Sequence, residues 1–572
     1  MKDPIEIQFI PPRREVEVHL PDDRVLSGPR GAPVGDFLQM LSGDPFYSPI
    51  VGALVNGELR ELTYPIRIES RVQPVTMSDE DGMRIYRRTL TFLLEKAFDD
   101  LYPEASLTID HSVAAGGYFC QVLGHPMLTP NELAQVKKRM REIVAQDILL
   151  IRERVPLEQV IEYFKKKGFE DKVQLLAHRR KDFLILYNLD GHLDYHHGYM
   201  LPSTGYIKWF DLQPVEGGFT LRFPRRKNPA ALSPPKAYPK MLAAFRRYGD
   251  LLKKLGIGSV GALNDAILAD RIQEIVLVSE ARHEQRIAEV AAQIAQRRDQ
   301  ACVILIAGPS SSGKTTSSKR LSIQLLVHGI SPFPLEMDHY FIDREKTPRD
   351  EKGEYDFESL YALDLGQLAH DLKGLINGER VQLPHFDFHT GSRREGEVVQ
   401  LEPGQIIIME GIHGLNPKLL PDMPPEQTFR IYISALTQLN LDRHNRVSTT
   451  DTRMLRRIVR DARERGYTAQ ETIHRWDSVT RGEKRNIFPY QENADVMFNS
   501  ALVYELAALK PYAEPLLRQV PFGAPEYVEA KRLLALLEWF LPVSRDLVPG
   551  NSILSEFLGG EILKDFKVWQ QA

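Results

Sequence analysis

The sequence predicts a multidomain protein of mixed α/β and α+β class. The chain has 572 residues, which is enough for roughly three or four domains of ordinary size. Up to about residue 75, short strand-like runs are separated by turn signals, as is typical of a small α+β module. From residue 300 onward, strand-like and helix-like runs alternate, which predicts a parallel sheet covered by helices on both faces.

The composition favours an ordinary globular protein. Hydrophobic residues make up 43% of the chain and charged residues 26%, and the net charge of −4 argues against bulk nucleic-acid binding. The two cysteines, Cys120 and Cys302, are too few for a disulfide framework or a Cys-rich zinc module. We find neither an apolar signal segment nor a run of about 18 apolar residues, and therefore expect a cytoplasmic protein that does not span a membrane.

The first 75 residues are predicted to form a small domain of the β-grasp size. Its predicted strands are Ile5–Ile10, Glu15–Leu20, Ile50–Val55 and Ile66–Val75. The segment Ala53–Leu90 resembles the TGS domain of threonyl-tRNA synthetase where it runs into the next domain of that enzyme. This resemblance implies a TGS-like β-grasp domain over residues 1–75.

A second resemblance to the same synthetases follows. Leu101–Val122 and Tyr195–Leu212 resemble their second additional domain, which edits mischarged tRNA. The resemblance implies an α+β editing-like module over residues 76–224.

The metal ligands of that editing module are missing from this chain. The family carries His-x-x-x-His on a helix and Cys-x-x-x-His before a Pro-Ser-Thr-Gly turn. At these positions the sequence has Tyr86, Leu90, His196 and Met200. Because leucine cannot ligate a metal and one ligand of four survives, we expect no zinc and no editing. We interpret His196 and its neighbour His197 as polar-site residues, and the module as a scaffold or binding surface.

A linker and a helical connector are predicted over residues 225–299. Residues 225–240 are basic and rich in proline. Met241–Lys254 and Asp265–Arg298 follow as helices, the second with an apolar stripe that we expect to pack the front half against the last domain. That domain is predicted over residues 300–572 and ends in a helical tail that includes Ala530–Leu541.

A phosphate-binding loop opens the last domain. The buried strand Val303–Ile306 leads into Gly308-x-x-x-x-Gly313-Lys314-Thr315, and Ser317–Val327 reads as the helix that follows. The loop N–H groups and the helix dipole form an anion site in which Lys314 reaches the β- and γ-phosphates and the Thr315 hydroxyl binds Mg²⁺. The predicted nucleotide-binding residues are Gly308, Pro309, Ser310, Ser311, Ser312, Gly313, Lys314, Thr315 and Thr316.

Three acids are predicted near the carboxyl ends of strands, where such sheets bind ligands. Asp338 follows the next strand after the loop helix and is a candidate base and Mg²⁺ ligand. Glu410 closes the apolar strand Ile406–Glu410 and is the candidate for holding Mg²⁺. Glu358 lies in a loop after the second strand.

Five motifs resemble the uridine kinase and phosphoribulokinase family, in that family's order. The resemblance implies ATP and Mg²⁺ as cofactors, Asp338 as the catalytic aspartate, Glu410 with Thr315 at Mg²⁺, and Glu358 at a ribose. It implies a substrate side formed by Asp338, Tyr340, Glu358, Phe386, His389 and Arg457. The motifs are GPSSSGKTT, LEMDHYF, LPHFDFHTGSRRE, IIIMEGIHGL and DTRMLRRIVRDARERG, within roughly Ala301–Ser500.

The acceptor side departs from uridine kinases. Their tyrosine and histidine that serve the pyrimidine are replaced by Phe386 and Gly391, and His389 lies two residues away from the second position. Phe386 is expected to offer a stacking face, and Gly391 empty space, in place of the two groups that contact the pyrimidine. The resemblance therefore implies kinase chemistry without fixing pyrimidine specificity.

An arginine-rich segment is predicted to be a helix. Arg453, Arg457 and Arg460 recur at i, i+4 and i+7, with Arg456 and Arg463 beside them. The alternatives are a solvated charged helix and a lid whose guanidinium groups close on phosphates. By resemblance the lid arginines are Arg457, Arg460 and Arg465, the first two of them catalytic and Arg465 at the nucleotide.

Two functions stay open from the sequence. The first is a kinase that phosphorylates a nucleoside or similar polyol, and the second is an RNA-associated regulatory ATPase. A GTPase is disfavoured because no Asn-Lys pair occurs. The oligomeric state is not readable. The residues that permit RNA binding by the front half are Tyr206, Lys208, Trp209, Arg222, Arg225, Arg226 and Lys227.

Overall fold

The structure is a computed structural model. It describes residues 11, 13–41, 43, 49–113, 116–349, 353, 355–387, 390–437 and 439–566. Within these residues the strands form five sheets, of which only the sheet behind the phosphate-binding loop is parallel throughout. This arrangement confirms the predicted mixture of α+β and α/β modules.

The first module is a five-stranded mixed sheet packed against a short helix. Its order is β2-β1-β5-β3-β4, with the central pair β1 and β5 parallel and the other pairs antiparallel. Val18 and Phe37 lie in its core. The predicted strand Ile5–Ile10 lies outside the described residues. The elements are β1 (Glu15–His19), β2 (Val25–Pro29), α1 (Val34–Leu38), β3 (Ile50–Val55), β4 (Glu58–Arg60) and β5 (Ser70–Thr76).

The second module contains two antiparallel sheets around a long helix, α2, with orders β11-β12-β7-β6 and β10-β9-β8. Tyr86 and Leu90 of that helix, and Met200, are fully buried apolar-core residues. The elements are α2 (Glu80–Leu101), β6 (Ser106–Val113), β7 (Gly117–Leu123), α3 (Pro130–Ala145), β8 (Ile151–Pro156), α4 (Leu157–Lys166), α5 (Glu170–Ala177), β9 (Phe183–Leu189), β10 (His192–Asp194), β11 (Asp211–Val215) and β12 (Gly218–Arg222).

The connector consists of α6 (Pro239–Leu255), α7 (Val260–Leu268) and α8 (Ile272–Gln296). The single helix predicted over Asp265–Arg298 is therefore wrong. The chain turns at Asp270, whose φ of 57° lies in the left-handed region, and an α-helix cannot continue through that conformation. The expected packing against the last domain is confirmed, because α8 lies against the helix that follows the phosphate-binding loop.

The last module has the parallel order β14-β17-β13-β18-β19, so the strand before the loop, β13, lies at the centre. The strand and helix alternation predicted here is confirmed. The elements are β13 (Val303–Ala307), α9 (Lys314–Val327), β14 (Pro332–Glu336), α10 (Leu365–Ile376), β15 (Val381–Asp387), β16 (Ser392–Val399), β17 (Ile406–Gly411), β18 (Thr428–Ser434), α11 (Thr449–Glu464), α12 (Ala469–Asn486), β19 (Val496–Asn499), α13 (Glu505–Arg518), α14 (Tyr527–Leu537) and α15 (Ser555–Leu558).

Basic residues proposed for RNA binding are partly used within the chain. Arg226 pairs with Glu80 at 3.3 Å and with Asp477 of α12 at 3.0 Å. Arg222 is buried, and its guanidinium lies 3.6 Å from Asp211. RNA binding stays a prediction, as do the domain boundaries at residues 75, 224 and 299. No helix among the described residues is long and apolar enough to cross a membrane.

Candidate active site

The phosphate-binding loop lies between the centre of the parallel sheet and the first turn of α9. A Cβ on Gly308 would collide with the carbonyl oxygen of Ile433 in β18, so only glycine fits there. Gly313 has a φ of 82° and directly precedes α9, whose first residue is Lys314. The loop N–H groups and the free N–H groups of the helix therefore open onto the same space, as anion binding requires.

Lys314, Thr315 and Glu410 meet at the mouth of this loop. The Lys314 Nζ donates to the Gly308 and Pro309 carbonyl oxygens at 3.0 and 3.3 Å, and burial lowers its pKa. The Thr315 hydroxyl donates to Glu410 Oε1 at 2.8 Å. Glu410 Oε2 is buried without a hydrogen-bond partner among the described residues, and burial raises the pKa of Glu410 to about 7. This carboxylate has an oxygen available for a cation next to the loop.

Asp338 and Glu358 both lie within the electrostatic field of Lys314, and we call the space between these acids and the phosphate-binding loop the cleft. Asp338 lies in the 3₁₀ turn Met337–Tyr340 after β14 and is open to solvent. Partial desolvation by the surrounding protein raises the pKa of Asp338, and the positive charge of Lys314 opposes that shift. Burial raises the pKa of Glu358 to about 7, helped by Glu483 and opposed by Arg457 and Lys314. The structure therefore brings both predicted acids into the field of the loop lysine.

Helix α11 is packed onto the loop, and its arginines are not simply solvated. Arg453 donates to the Ser310 carbonyl at 3.0 Å and pairs with Glu483 of α12, with an Nη2–Oε2 distance of 2.8 Å. Arg456 donates to the Ser311 carbonyl at 3.4 Å and also pairs with Glu505. Both guanidinium groups are fully buried and donate to carbonyl groups of the loop. The solvated-helix alternative is therefore excluded for these two arginines.

The three predicted lid arginines converge on Asp461. Arg457 Nε lies 3.1 Å and Arg460 Nη2 2.8 Å from its carboxylate, and Arg465 forms a longer ion pair of 3.6 Å. Arg457 also donates through Nη1 to the Ser310 hydroxyl at 3.0 Å. Arg457 therefore links Asp461 to the loop. Arg460 and Arg465 contact Asp461, which is itself linked to the loop through Arg457.

The predicted acceptor residues are arranged differently from expectation. Tyr340 is fully buried, and its hydroxyl donates to Asp371 at 3.0 Å, so the structure does not bring that hydroxyl to the cleft. The Phe386 ring is buried and packs against Phe341, with 5.7 Å between ring centroids, so it does not present an open stacking face. His389 lies outside the described residues.

Gly391 was predicted to leave space where uridine kinases carry a histidine. The structure places Arg344 there, since a Cβ on Gly391 would lie 2.8 Å from Arg344 Nε. The Arg344 N–H also donates to the Gly391 carbonyl at 2.8 Å. The empty space is therefore a wrong expectation, because an arginine from a distant turn fills it.

Two contributions to the site were missed from the sequence. Glu483 accepts a hydrogen bond from the Ser310 N–H at 2.9 Å. In the C-terminal tail, Glu556 accepts from the Thr316 hydroxyl at 2.8 Å, and Ile553 packs against Gly313. These contacts span 173 and 240 residues, and no local motif marks either partner.

Comparisons with known proteins agree with this geometry. The model of the Phosphoribulokinase / Uridine kinase family matches residues 303–507. A uridine kinase of Staphylococcus epidermidis (strain ATCC 35984) is 32% identical over 200 residues, which cover 35% of this chain and 87% of that kinase. The chain belongs to the phosphoribulokinase/uridine kinase family. The predicted resemblance to this family is confirmed.

The front half is similar to a different class of protein. The threonine–tRNA ligase of Geobacter sp. (strain M21) is 30% identical over 205 residues, which cover 36% of this chain and 32% of the ligase. The chain therefore spans about a third of the length of the ligases it matches. This match confirms that synthetase-like front modules are joined to a member of the kinase family.

Among solved structures, a possible uridine kinase from Bacillus stearothermophilus is 23% identical. The match covers 36% of this chain and 100% of the other chain, with a TM-score of 0.23.

Proposed function

We propose that this family member transfers the γ-phosphoryl group of ATP, with Mg²⁺, to a hydroxyl of a nucleoside or similar polyol. The observation that carries the proposal is the contact between Thr315 and Glu410 at 2.8 Å beside Lys314, with Asp338 in the same cleft. A lysine, a hydroxyl and two carboxylates at a glycine-rich loop are the groups that phosphoryl transfer from a nucleotide requires.

The residues present fit Mg²⁺. Thr315 offers a hydroxyl oxygen and Glu410 a carboxylate whose Oε2 has no hydrogen-bond partner among the described residues, and Mg²⁺ prefers oxygen ligands. Bound Mg²⁺ would neutralise negative charge on the β- and γ-phosphates. Asp338 is a further candidate ligand on the acceptor side of the same cleft.

The loop and α11 would position the nucleotide. Backbone N–H groups between Gly308 and Thr316 would bind phosphate oxygens, apart from Pro309, which has no N–H, and Ser310, whose N–H already donates to Glu483. Lys314 would leave its carbonyl partners to reach the β- and γ-phosphates. Arg457 already contacts Ser310, so its guanidinium is the nearest of the lid arginines to the transferred group. Arg460 and Arg465 would follow on release from Asp461 and add positive charge on the nucleotide.

Asp338 would act as the general base. Its carboxylate accepts the proton of the acceptor hydroxyl while the hydroxyl oxygen bonds to the γ-phosphorus. The bond from that phosphorus to the β–γ bridging oxygen breaks, and ADP leaves with the electron pair. The charge of Lys314 counters the rise in the pKa of Asp338, which favours the ionised form that this step needs.

The acceptor is predicted to be ribose-like without a strong pyrimidine preference. Glu358 would accept hydrogen bonds from ribose-like hydroxyl groups, whereas the buried Phe386 ring offers no open face for a base. The Arg344 guanidinium lies next to Gly391, where uridine kinases use a histidine, and would be the group that contacts the acceptor there. We therefore expect a purine nucleoside or a cyclic polyol to serve as acceptor as well as uridine does.

A panel of acceptors tests the proposal directly. Purified full-length protein is incubated with ATP and Mg²⁺ and with pyrimidine nucleosides, purine nucleosides or inositols, and acceptor-dependent ADP formation is measured. We expect at least one acceptor to raise ADP formation well above the acceptor-free rate, and chelation of Mg²⁺ to abolish it. ATP hydrolysis that is independent of every acceptor but stimulated by tRNA would favour the RNA-associated ATPase instead.

A further inference from the structure

A buried cluster of charged side chains lies where the synthetase-like module meets the kinase domain. On the kinase side it uses the segment between β18 and α11, which leads directly into the arginine helix. Four of its side chains expose between 1% and 4% of their surface, namely those of Glu95, Asp194, His196 and His444. We define the junction cluster as Glu95, Lys172, Asp194, His196, Asp442 and His444.

Three members of the junction cluster are spaced like metal ligands. One oxygen of Glu95, one oxygen of Asp194 and one ring nitrogen of His196 all lie within 4.8 Å of one another. The His196 Nε2 is 3.3 Å from Glu95 Oε1. Ligand atoms bound tetrahedrally at zinc distances are about 3.3–3.6 Å apart, so only small side-chain shifts would be needed.

Two buried polar atoms around this position lack a hydrogen-bond partner among the described residues. Glu95 Oε1 is one, and its side chain is 1% exposed. The other is Nε2 of His192, which lies 3.9 Å from Glu95 Oε2 while its Nδ1 contacts Asp99 at 3.3 Å. Buried polar atoms are rarely left unpaired, and a bound cation would give the Glu95 oxygen its partner.

The charges of the junction cluster also call for a cation. Glu95, Asp194 and Asp442 are fully buried carboxylates, and Lys172 is the one fully buried lysine that faces them within the cluster. Lys172 compensates one of these charges, and His192, whose pKa is raised to about 9 by Asp99 and Glu95 despite its burial, compensates part of the rest. At least one carboxylate of the cluster is left without a partner charge in a region of low dielectric constant, and a divalent cation would compensate it.

The neighbouring groups orient Asp194 for this task. Its Oδ1 accepts from Lys172 Nζ at 2.9 Å and from the Tyr195 N–H at 2.7 Å. Its Oδ2 lies 2.7 Å from Nδ1 of His444, which comes from the kinase domain. Such outer hydrogen bonds fix ligand orientation in metal sites and make their mutation costly for metal affinity.

We propose that Glu95, Asp194 and His196 bind a divalent metal ion of the zinc class, with His444 as an outer partner. The site would fasten the front module to the kinase segment that precedes α11. This proposal departs from the expectation of no zinc, which rested on Tyr86, Leu90 and Met200 at the synthetase positions. The new ligand set shares only His196 with those positions, and it does not depend on the proposed kinase function.

The test uses the full-length chain. Protein stripped with EDTA is incubated with Zn²⁺, Mn²⁺ or Co²⁺, freed of unbound ion by gel filtration, and analysed for metal content and Tm. We expect about one tightly held ion per chain, a higher Tm with metal, and visible absorption bands from bound Co²⁺. Glu95→Gln and His196→Gln should lose the ion and the Tm shift, whereas the control His474→Gln, which changes a histidine with a 77% exposed side chain, should keep both.

Three results would overturn the proposal. One is less than about a tenth of an ion per chain for every metal tried. Another is equal metal content in Glu95→Gln, His196→Gln and the native chain. The third is a fall in the Tm of the metal-free protein as the pH rises through the range in which imidazoles lose their protons. That result would show that protonated histidines, and not a metal ion, neutralise the carboxylates of the junction cluster. If a variant fails to fold, the metal content and Co²⁺ absorption of the native chain still decide.

Discussion

Glu483 accepts a hydrogen bond at 2.9 Å from the backbone N–H of Ser310, inside the phosphate-binding loop. The same carboxylate pairs with Arg453, and both side chains are almost fully buried. A helix that lies far along the chain therefore fixes the shape of the loop through one ion pair.

Breaking this ion pair should destabilise the protein strongly. Glu483→Ala leaves the Arg453 guanidinium buried without its carboxylate, which costs about 3–5 kcal/mol in the free energy of unfolding. The double variant Arg453→Met with Glu483→Met removes both charges and should recover most of the loss. Urea or thermal unfolding measures all three proteins.

The matched control is Glu514→Ala, which breaks an exposed pair with Arg518 one helical turn away. This change should cost no more than about 0.5 kcal/mol. A loss for Glu483→Ala as small as that of the control would show that the buried pair does not hold the loop.

Asp338→Asn should lower kcat by about 10²–10⁴-fold while leaving ATP affinity nearly unchanged. The amide keeps the size of the side chain but cannot take the proton of the acceptor hydroxyl. Steady-state kinetics and ATP binding by calorimetry measure the two effects separately. Glu336→Gln, an exposed acid two residues earlier, is the control and should be nearly silent. An equal fall in ATP affinity and in kcat would assign Asp338 to Mg²⁺ binding or packing.

The sequence was most informative where the site is local. The strand before the loop, the glycine positions and the first turn of α9 are contiguous, so one pattern predicted the helix and the strand Val303–Ile306, which in the structure extends to Ala307. Glu410 is 95 residues from Thr315, yet it was predicted because a run of buried aliphatic residues marks the strand that ends at it.

Long-range contacts without a local pattern were not predictable. Glu483 lies in a charged helix and Glu556 in a short, mostly apolar one, and neither sequence carries a pattern that marks a site, so only the fold brings them to the loop. Arg344 filling the space beside Gly391 is a similar case. The break at Asp270 was missed because the apolar spacing continues across it, while the left-handed conformation is a property of one residue.

Arg344→Ala should change the choice of acceptor. If the guanidinium beside Gly391 contacts the acceptor, its loss costs about 1–3 kcal/mol, which raises the acceptor KM about 5- to 150-fold and leaves the KM for ATP unchanged. Lys346→Ala, with a 72% exposed side chain in the same turn, is the control. Unchanged acceptor kinetics would remove Arg344 from the acceptor site.

A thousandfold preference of the native chain for uridine would show that another residue, with His389 the first to examine, contacts the pyrimidine.

Acid should destabilise the contact between the front module and the connector through His111. The His111 imidazole is stacked on the Phe245 ring with 3.6 Å between the ring centroids. Burial lowers the pKa of His111 to about 3. Below the unfolded pKa of about 6.5 the unfolded chain binds a proton that the folded chain does not, so stability falls as the pH falls. The expected loss is about 2 kcal/mol at about pH 5.

His111→Phe should therefore show a smaller drop in Tm between about pH 7.5 and about pH 5 than the native chain. The exposed His328 is the control, since His328→Gln should leave the drop unchanged. A native-sized drop in His111→Phe would place the acid sensitivity at another group.

The most direct test of the account is transfer of the γ-phosphoryl group to an acceptor by the Lys314→Ala variant. With the best acceptor of the panel, the mass of the product and its rate of formation are compared for the native and variant chains, with circular dichroism as the check on folding. We predict that the native chain yields a singly phosphorylated acceptor. We predict that Lys314→Ala, correctly folded, forms it at least about 10²-fold more slowly, because one such charge contact contributes about 3–4 kcal/mol to the transition state. A folded Lys314→Ala protein with near-native transfer would contradict the assignment of catalysis to this loop.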